Sequence, residues 1–272
     1  MVSVLGKQFP SNNHPYQSHM KTCQSFHKIV ILTAVSALPL TGNAATLFDN
    51  FDSYAAGSVI PAGNSWVGWG TPTAASMIVT AGPAYSGPNS LAAIGGAGTD
   101  QVLEFGYGPK VGVWEFTTMT FVPSAGKAGE TYFNLMNKFD QVGGDYNWSG
   151  VGVHWNMIAA NAKEGKIYND NTPDGSELPI LFDQWVEVKA SIYLTSNTCE
   201  VFYGGVSLAT AAWSDRAAPF GIEVMDIYPI SNDASVIYYD DIGLVQTQVP
   251  EPTSLALLLG GLVGLLGLRR RK

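Results

Sequence analysis

The chain has 272 residues with a formal net charge of −8, and 46% of its residues are hydrophobic. This composition is globular, and the length suits one large domain or two small ones at about 150 residues per domain. Residues 45–249 hold 7 basic and 21 acidic side chains, a net charge of −14. Such a domain repels nucleic acid and anionic lipid, which excludes both as partners, but it is compatible with neutral sugars or divalent cations.

The N-terminal segment is typical of a secretion signal. Lys21 and Lys28 precede an apolar run over residues 29–40, and small residues follow up to Ala44. A basic region, a short apolar region and small residues before a cleavage point are the features that signal peptidase requires. We therefore expect residues 1–44 to be a signal peptide.

The middle of the chain is a series of short β-favouring runs separated by turns rich in glycine, proline, asparagine and aspartate. Strands are predicted over residues 76–80, 101–105, 111–122, 148–156, 185–194, 198–203 and 235–245. No amphipathic helix of useful length lies between them. Spacing of this kind favours an all-β sandwich or barrel over a parallel α/β fold.

The clearest single pattern lies in residues 185–194. Apolar and polar side chains alternate there, and the apolar set is Val186, Val188, Ala190, Ile192 and Leu194. Strict alternation predicts a half-buried antiparallel strand. Turns at residues 195–197 and at Gly204-Gly205 lead into two further strands, so three consecutive antiparallel strands are predicted.

Four segments resemble concanavalin A-like lectin/glucanase (laminin G-like) domains. They are LFDNFDSYAAGS at residues 47–58, SGPNSLA at 86–92, FDQWVEVKASIYLTSNTCEVFYGGVSLAT at 182–210 and VIYYDDIGL at 236–244. The resemblance implies an all-β antiparallel two-sheet jelly-roll sandwich over residues 45–249. It also implies that glycans bind on or beside the concave sheet.

Tryptophans in polar loops are the candidate sugar-binding residues, because their faces stack on sugar rings while nearby Asp and Asn hold hydroxyls. The candidates are Trp66, Trp69, Asp145, Asn147 and Trp148. Packing in the core is the alternative for each tryptophan, since large aromatic side chains dominate sandwich cores.

No catalytic constellation is apparent in the sequence. Residues 45–249 contain one histidine, His154, which we interpret as a sheet-face or core residue. Glycoside hydrolysis requires two carboxylates held a defined distance apart, and in jelly-roll glucanases these usually come from one strand. Such a pair is not apparent, since the spacing of Glu223 and Asp226 puts them on opposite faces of a regular strand. We therefore expect a non-catalytic, carbohydrate-binding protein. A structural matrix protein without a small ligand and a glycan-cleaving jelly-roll enzyme are the alternatives.

Four aspartates near the two ends of the domain are candidate ligands for a structural calcium ion. These are Asp49, Asp52, Asp240 and Asp241. Calcium prefers hard oxygen ligands, and the first and last strands of such sandwiches commonly pair. An ordinary acidic surface is the alternative.

The C-terminal segment carries Pro250-Glu251-Pro252, an apolar run over residues 255–268, and the basic cluster Arg269, Arg270, Arg271 and Lys272. It resembles the PEP-CTERM sorting signal, which implies processing by an exosortase in a Gram-negative bacterium that makes exopolysaccharide. As a helix the apolar run reaches about 21 Å, short of a bilayer core of about 30 Å. We expect a transient stage in the inner membrane, followed by release to the cell surface or extracellular matrix.

The sequence thus predicts three parts. Residues 1–44 are the signal peptide, with translation starting at Met1 or Met20. Residues 45–249 are the β-sandwich, and residues 250–272 are the sorting tail with its hydrophobic helix. The expected partners are signal peptidase and exosortase during export, and polysaccharide afterwards.

Overall fold

The structure is a computed structural model that describes residues 46–59, 65–70, 77–96, 100–172 and 176–248. The signal peptide, the sorting tail and the helices predicted in them lie outside these residues. Strands are the regular elements of the described part: β1 (Thr46–Asp49), β2 (Trp66–Gly68), β3 (Ile78–Thr80), β4 (Ser90–Ala93), β5 (Gln101–Glu104), β6 (Val113–Phe121), β7 (Glu130–Asp140), β8 (Asp145–Asn156), β9 (Lys166–Asn169), β10 (Glu177–Pro179), β11 (Trp185–Tyr193), β12 (Thr198–Tyr203), β13 (Val206–Ala212), β14 (Val224–Pro229) and β15 (Ile237–Gln248).

The first sheet has the strand order β13-β12-β11-β6-β15-β4-β3. Its longest strand, β15, pairs with β6 along one side and with β4 and then β1 along the other. The first and last strands of the described sandwich therefore pair, as expected. A register shift interrupts β15 between Asp240 and Gly243, and Asp241 has a φ of 46° at that point.

The second sheet has the strand order β10-β9-β8-β7-β14-β5-β2. All of its pairings are antiparallel, as are those of the first sheet. The two sheets enclose one large apolar core, which includes Phe116, Val188 and Tyr239 from the first sheet and Phe133 and Trp155 from the second. The prediction of an antiparallel two-sheet all-β sandwich is confirmed.

The alternating side chains of residues 185–194 are buried on one face of the strand, as predicted. Val188, Ala190 and Ile192 are fully buried, whereas Glu187 on the opposite face is exposed. The next two strands, β12 and β13, follow as an antiparallel pair. Apolar burial on one face of β11 therefore fixes the register in which this strand joins β6 and β12.

Strand β7 is one of the strands that the sequence did not predict. From Phe133 to Asn137 all five side chains are buried, so the strand has no exposed face to mark its period. Phe133 and Leu135 belong to the main core, while Met136 and Phe139 form a second apolar cluster with Val102 and Val224. Both sides of the second sheet are thus partly covered near β7.

Candidate functional site

The outer face of the second sheet, which points away from the first sheet, carries the candidate site. Residues of β7, β8, β9 and β14 alternate between the core and this face. Phe133 and Trp155 point to the core, so their neighbours Tyr132 and His154 point outward.

Four side chains form a line of rings across this face, which we call the ring row: Tyr228, Tyr132, His154 and Tyr168. Strand register sets the line, because each residue is the direct partner of the next. The ring centroids are 5.6 Å apart between Tyr228 and Tyr132, 4.9 Å between Tyr132 and His154, and 5.1 Å between His154 and Tyr168. His154 is therefore stacked between two tyrosines, and it is 9% exposed.

Glu130 contacts His154 and Tyr168, the last two residues of the ring row. Its Oε1 lies 2.9 Å from Nδ1 of His154, and it also accepts a hydrogen bond from the Tyr168 hydroxyl. Asn156 donates to Oε2 at 3.3 Å, and the Lys163 ammonium lies 3.4 Å from the centroid of the Tyr168 ring. No described residue hydrogen-bonds Nε2 of His154.

The hydrogen bonds and the charge of Glu130 shift the pKa values in this group of side chains. Burial alone would raise the pKa of Glu130, but hydrogen bonds from His154 and Tyr168 hold that pKa below its usual range. Burial and the neighbouring Glu130 carboxylate both raise the pKa of Tyr168. The Tyr168 hydroxyl consequently stays protonated and remains a hydrogen-bond donor at neutral pH.

Asparagines line the face beside the ring row. Asn134 lies on β7 opposite Gly152 of β8, and Asn171 donates to the Ser149 carbonyl oxygen at 2.8 Å. A β-carbon at Gly152 would come within 2.5 Å of the Asn134 Oδ1 and 2.7 Å of the Asn171 Nδ2. Glycine at this position is what allows the two amides to approach the β8 backbone.

An aromatic platform lies toward the other end of β8 on the same sheet and consists of Trp69, Tyr146 and Trp148. The rings of Trp69 and Trp148 are nearly parallel, at 7° and a centroid distance of 5.6 Å, and Trp69 lies 4.8 Å from Tyr146. Trp148 is 42% exposed and Trp69 is half-buried. Two of the three tryptophans predicted from loops thus stack on each other, and Trp148 is the more exposed of the two.

An open cavity of about 410 Å³ adjoins the platform. Phe139, in its wall, lies 5.2 Å from Trp69 between ring centroids. Glu104, Tyr107 and Lys138 supply polar groups, and the Tyr107 hydroxyl donates to the Glu104 carboxylate. The cavity therefore joins an apolar wall to charged side chains of both signs.

The other three predicted sugar-binding residues lie in different places. Trp66 has no exposed surface, and its indole N–H donates to Asp49 at 2.9 Å. Asn147 is buried, donates to Asp215 at 2.7 Å and accepts from Ser214. Trp66 therefore lies beyond the reach of a ligand, and both the nitrogen and the oxygen of the Asn147 amide are already bonded to protein side chains.

Asp145 lies at the edge of the aromatic platform and pairs with a cation. Its Oδ1 is 2.6 Å from Nη1 of Arg216, and Nη2 of Arg216 donates to the Tyr146 carbonyl oxygen at 2.7 Å. Both charged side chains are about half-exposed. This pair fixes the loop that precedes Trp148.

Three of the four aspartates predicted as calcium ligands converge on the loop before β4. Asp240 Oδ2 accepts from the backbone N–H groups of Tyr85 and Ser86, at 2.8 Å and 3.1 Å. Asp241 accepts from the Ser86 hydroxyl, and Asp52 accepts from the Asn89 backbone at 3.2 Å. These carboxylates are thus already held by protein donors.

Asp49, the fourth predicted calcium ligand, lies apart from this loop. It accepts hydrogen bonds from the Phe51 backbone, the Tyr54 hydroxyl and the Trp66 indole, each at 2.9 Å. Among the residues that the structure describes, no group of three or more His, Cys, Asp or Glu side chains is placed to hold a metal ion.

The predicted sorting motif lies outside the described residues. Its residues are Pro250, Glu251, Pro252, Arg269, Arg270 and Arg271. Residues 248–272 match the PEP-CTERM protein-sorting motif, which confirms the interpretation of the tail. The motif indicates export and sorting to the cell envelope or surface. The described strands and loops contain no helix with the length and apolarity that a bilayer crossing demands.

No protein with a curated description is detectably similar to the chain in sequence. Solved structures resemble its fold at low identity. Alginate lyase Aly36B is 14% identical with a TM-score of 0.50, over 75% of this chain and 98% of its own. "Cellulose induced protein, Cip1" is 16% identical with a TM-score of 0.46 over the same shares. An endo-β-1,4-glucuronan lyase from the fungus Trichoderma reesei is 9% identical with a TM-score of 0.43, over 74% of this chain and 95% of its own.

At this identity the likeness to alginate lyase Aly36B concerns the fold alone, which is of the jelly-roll type that the sequence predicted. The chain carries a PEP-CTERM sorting motif behind a jelly-roll β-sandwich that is similar in fold to alginate lyase Aly36B.

Proposed function

We propose that this protein is exported to the cell surface or extracellular matrix and binds polysaccharide on the outer face of its second sheet. The observation that carries the proposal is the combination, on one sheet, of the parallel rings of Trp69 and Trp148 and the ring row at His154. Stacking surfaces flanked by amide, hydroxyl and carboxylate groups suit sugars, which present apolar ring faces and polar edges.

The spacing of the two groups suits an extended chain rather than a single sugar. His154 and Trp148 are six residues apart on β8, which corresponds to about 20 Å or less along the strand. Asn171, which is exposed, offers an amide group between them. A polysaccharide laid along β8 would thus meet rings at both ends and an amide in between.

A glycan array probed with the purified secreted protein tests the proposal. Retention on at least one polysaccharide, including the exopolysaccharide of the producing strain, is the expected result. Failure to bind any of them would leave a structural matrix protein without a small ligand as the better description.

A second candidate function, cleavage of an acidic polysaccharide by β-elimination, is favoured by the contact between His154 and Glu130. With Glu130 accepting the proton on Nδ1, Nε2 of His154 carries a lone pair that can act as a base. It would take the proton next to a sugar carboxylate. The electrons left by that proton form the new double bond as the adjacent carbon–oxygen bond breaks, and the Tyr168 hydroxyl protonates the departing oxygen.

The elimination has a direct assay, because its product contains a conjugated double bond that absorbs ultraviolet light. The secreted protein is mixed with uronate polysaccharides such as alginate and the absorbance is followed. If the reaction occurs, we expect His154→Ala to abolish it and Trp148→Ala to weaken substrate binding. Binding without any rise in absorbance would favour the non-catalytic function.

A further inference from the structure

Two aspartates lie together on the outer face of the second sheet, between the ring row and the aromatic platform. Asp226 is at the centre of β14, opposite Val102 of β5 and Asn134 of β7. Asp100 precedes Val102 by two residues, so the two carboxyl groups are diagonal neighbours on one face. Each side chain raises or lowers the pKa of the other through this proximity.

This carboxyl pair is buried without a compensating cation. Asp226 is 1% exposed, and the Oδ1 atoms of both aspartates are buried without a hydrogen-bond partner. Within the described residues, neither forms an ion pair with a lysine, arginine or histidine. Two neighbouring carboxylates buried without a cation cannot both carry a charge at low cost, so the pair holds at least one proton.

The carboxyl pair touches both parts of the proposed binding face. The titratable groups that face it are Tyr132 on β7 and Tyr228 on β14, the first two members of the ring row. On the other side, the Asp100 carbonyl oxygen accepts a hydrogen bond from the backbone N–H of Trp69 at 3.0 Å. A movement of the two carboxyl groups would therefore displace the tyrosine rings on one side and the backbone next to Trp69 on the other.

We propose that Asp100 and Asp226 share one proton that gates polysaccharide binding, so that the face binds while the proton is held and releases the polysaccharide when rising pH removes it. The inference rests on the proposed function, since it concerns the regulation of the same face. Loss of the proton leaves two buried like charges in contact, and these must separate. Their movement displaces the rings of Tyr132 and Tyr228 and the backbone that positions Trp69.

The acidities of the two groups agree with this geometry. Burial raises the pKa of Asp226 well above its usual range, and the Asp100 carboxylate raises it further. Burial also raises the pKa of Asp100. A group whose pKa is raised by folding stabilises the fold fully below its unfolded pKa of about 3.9, and this contribution disappears as the pH rises through the folded pKa.

The experiment measures the affinity of the secreted protein for the exopolysaccharide of its own strain, between about pH 5 and about pH 9, below the range in which tyrosine ionises. If only the protonated pair is competent, the apparent dissociation constant of the wild type rises toward tenfold per pH unit above the transition. In Asp226→Asn an amide donor replaces the shared proton, so the affinity stays at its acidic value throughout. Asp233→Asn, an exposed aspartate outside this face, keeps the wild-type profile.

Identical pH profiles for the wild type and Asp226→Asn would overturn the proposal. Should Asp226→Asn fold poorly, Asp100→Asn supplies the same donor from the less buried side of the pair. Thermal melting without ligand separates this inference from the proposed function. A wild-type melting temperature that falls with pH more steeply than that of Asp226→Asn supports the shared proton even if no polysaccharide binds. Equal slopes together with pH-independent binding contradict it.

Discussion

Glu130 serves three side chains of the site at once, namely His154, Asn156 and Tyr168. We expect Glu130→Gln to lower the free energy of unfolding at pH 7 by about 1–3 kcal/mol, because hydrogen bonds to a charged group are lost. Chemical denaturation measures this. Glu187→Gln, an exposed carboxylate on the first sheet, is the matched control and should change little.

The stability of the same variant should depend on acidic pH differently from that of the wild type. The folded pKa of Glu130 lies below its usual range, so its contribution is present above the unfolded value of about 4.3 and is lost as the pH falls through the folded value. The stability of the wild type should therefore approach that of Glu130→Gln in acid. A constant difference between the two proteins down to about pH 2 would contradict this role of the charge.

Gly152 is the other residue on which the site depends. A β-carbon there would meet the Asn134 and Asn171 amides at 2.5 Å and 2.7 Å. We expect Gly152→Ala to cost about 1–3 kcal/mol of stability through overpacking and to weaken polysaccharide binding by displacing the amides. Gly82→Ala, where nothing lies within 4 Å of the new carbon, is the control for both measurements.

For His154, the sequence predicts the position of the residue but not its partners. Its position on a sheet face follows from the alternation of Val153 and Trp155 around it. Its partners do not, because Glu130, Tyr132 and Tyr168 lie far from it in sequence and only strand register brings them together. Trp66 could not be distinguished from Trp69 either, since the burial of one and the exposure of the other depend on what packs against β2.

At the scale of elements, the exposed face of β11 made that strand predictable, and the lack of one hid β7. Strand β11 alternates cleanly, whereas β7 has five consecutive buried side chains and therefore no visible period. The candidate site depends on β7, which explains why the sequence placed the platform tryptophans among its candidates but none of the ring row.

The packing of β11 gives a prediction that is independent of function. Ile192 is fully buried against the core, and Glu187 is exposed on the opposite face. We expect Ile192→Ala to lower the free energy of unfolding by about 2–5 kcal/mol and Glu187→Ala to change it by less than about 0.5 kcal/mol. Equal effects in urea denaturation would mean that the register of β11 differs from the one described here.

For the whole molecule, calcium binding by the aspartates near the first and last strands stays a prediction, although among the described residues these carboxylates do not form a group of three placed to hold a metal ion. If calcium binds at Asp52, Asp240 and Asp241, chelation should lower the melting temperature and added calcium should restore it. Asp240→Asn should abolish that response. A melting temperature that is indifferent to chelator would leave these carboxylates with the role their hydrogen bonds already describe, which is to hold the loop at Tyr85 and Ser86.

The short sorting tail makes a prediction about the mature protein. An apolar run of about 21 Å is a poor permanent anchor for a bilayer core of about 30 Å. We therefore expect the secreted form to lack the C-terminal basic cluster, with cleavage near Pro250-Glu251-Pro252. Intact mass spectrometry of the protein recovered from the medium fixes both cleavage points, and a mass that includes residues 253–272 would contradict processing.

The most direct test of the central claim is co-sedimentation of the secreted protein with the exopolysaccharide of its own strain. We predict that the wild type sediments with the polysaccharide and that Trp148→Ala loses at least about tenfold in affinity, equivalent to about 1.4 kcal/mol. Trp185→Ala, a tryptophan on the first sheet, should bind like the wild type. Equal affinity of the wild type and Trp148→Ala, or no sedimentation of the wild type, would contradict a polysaccharide site on the second sheet.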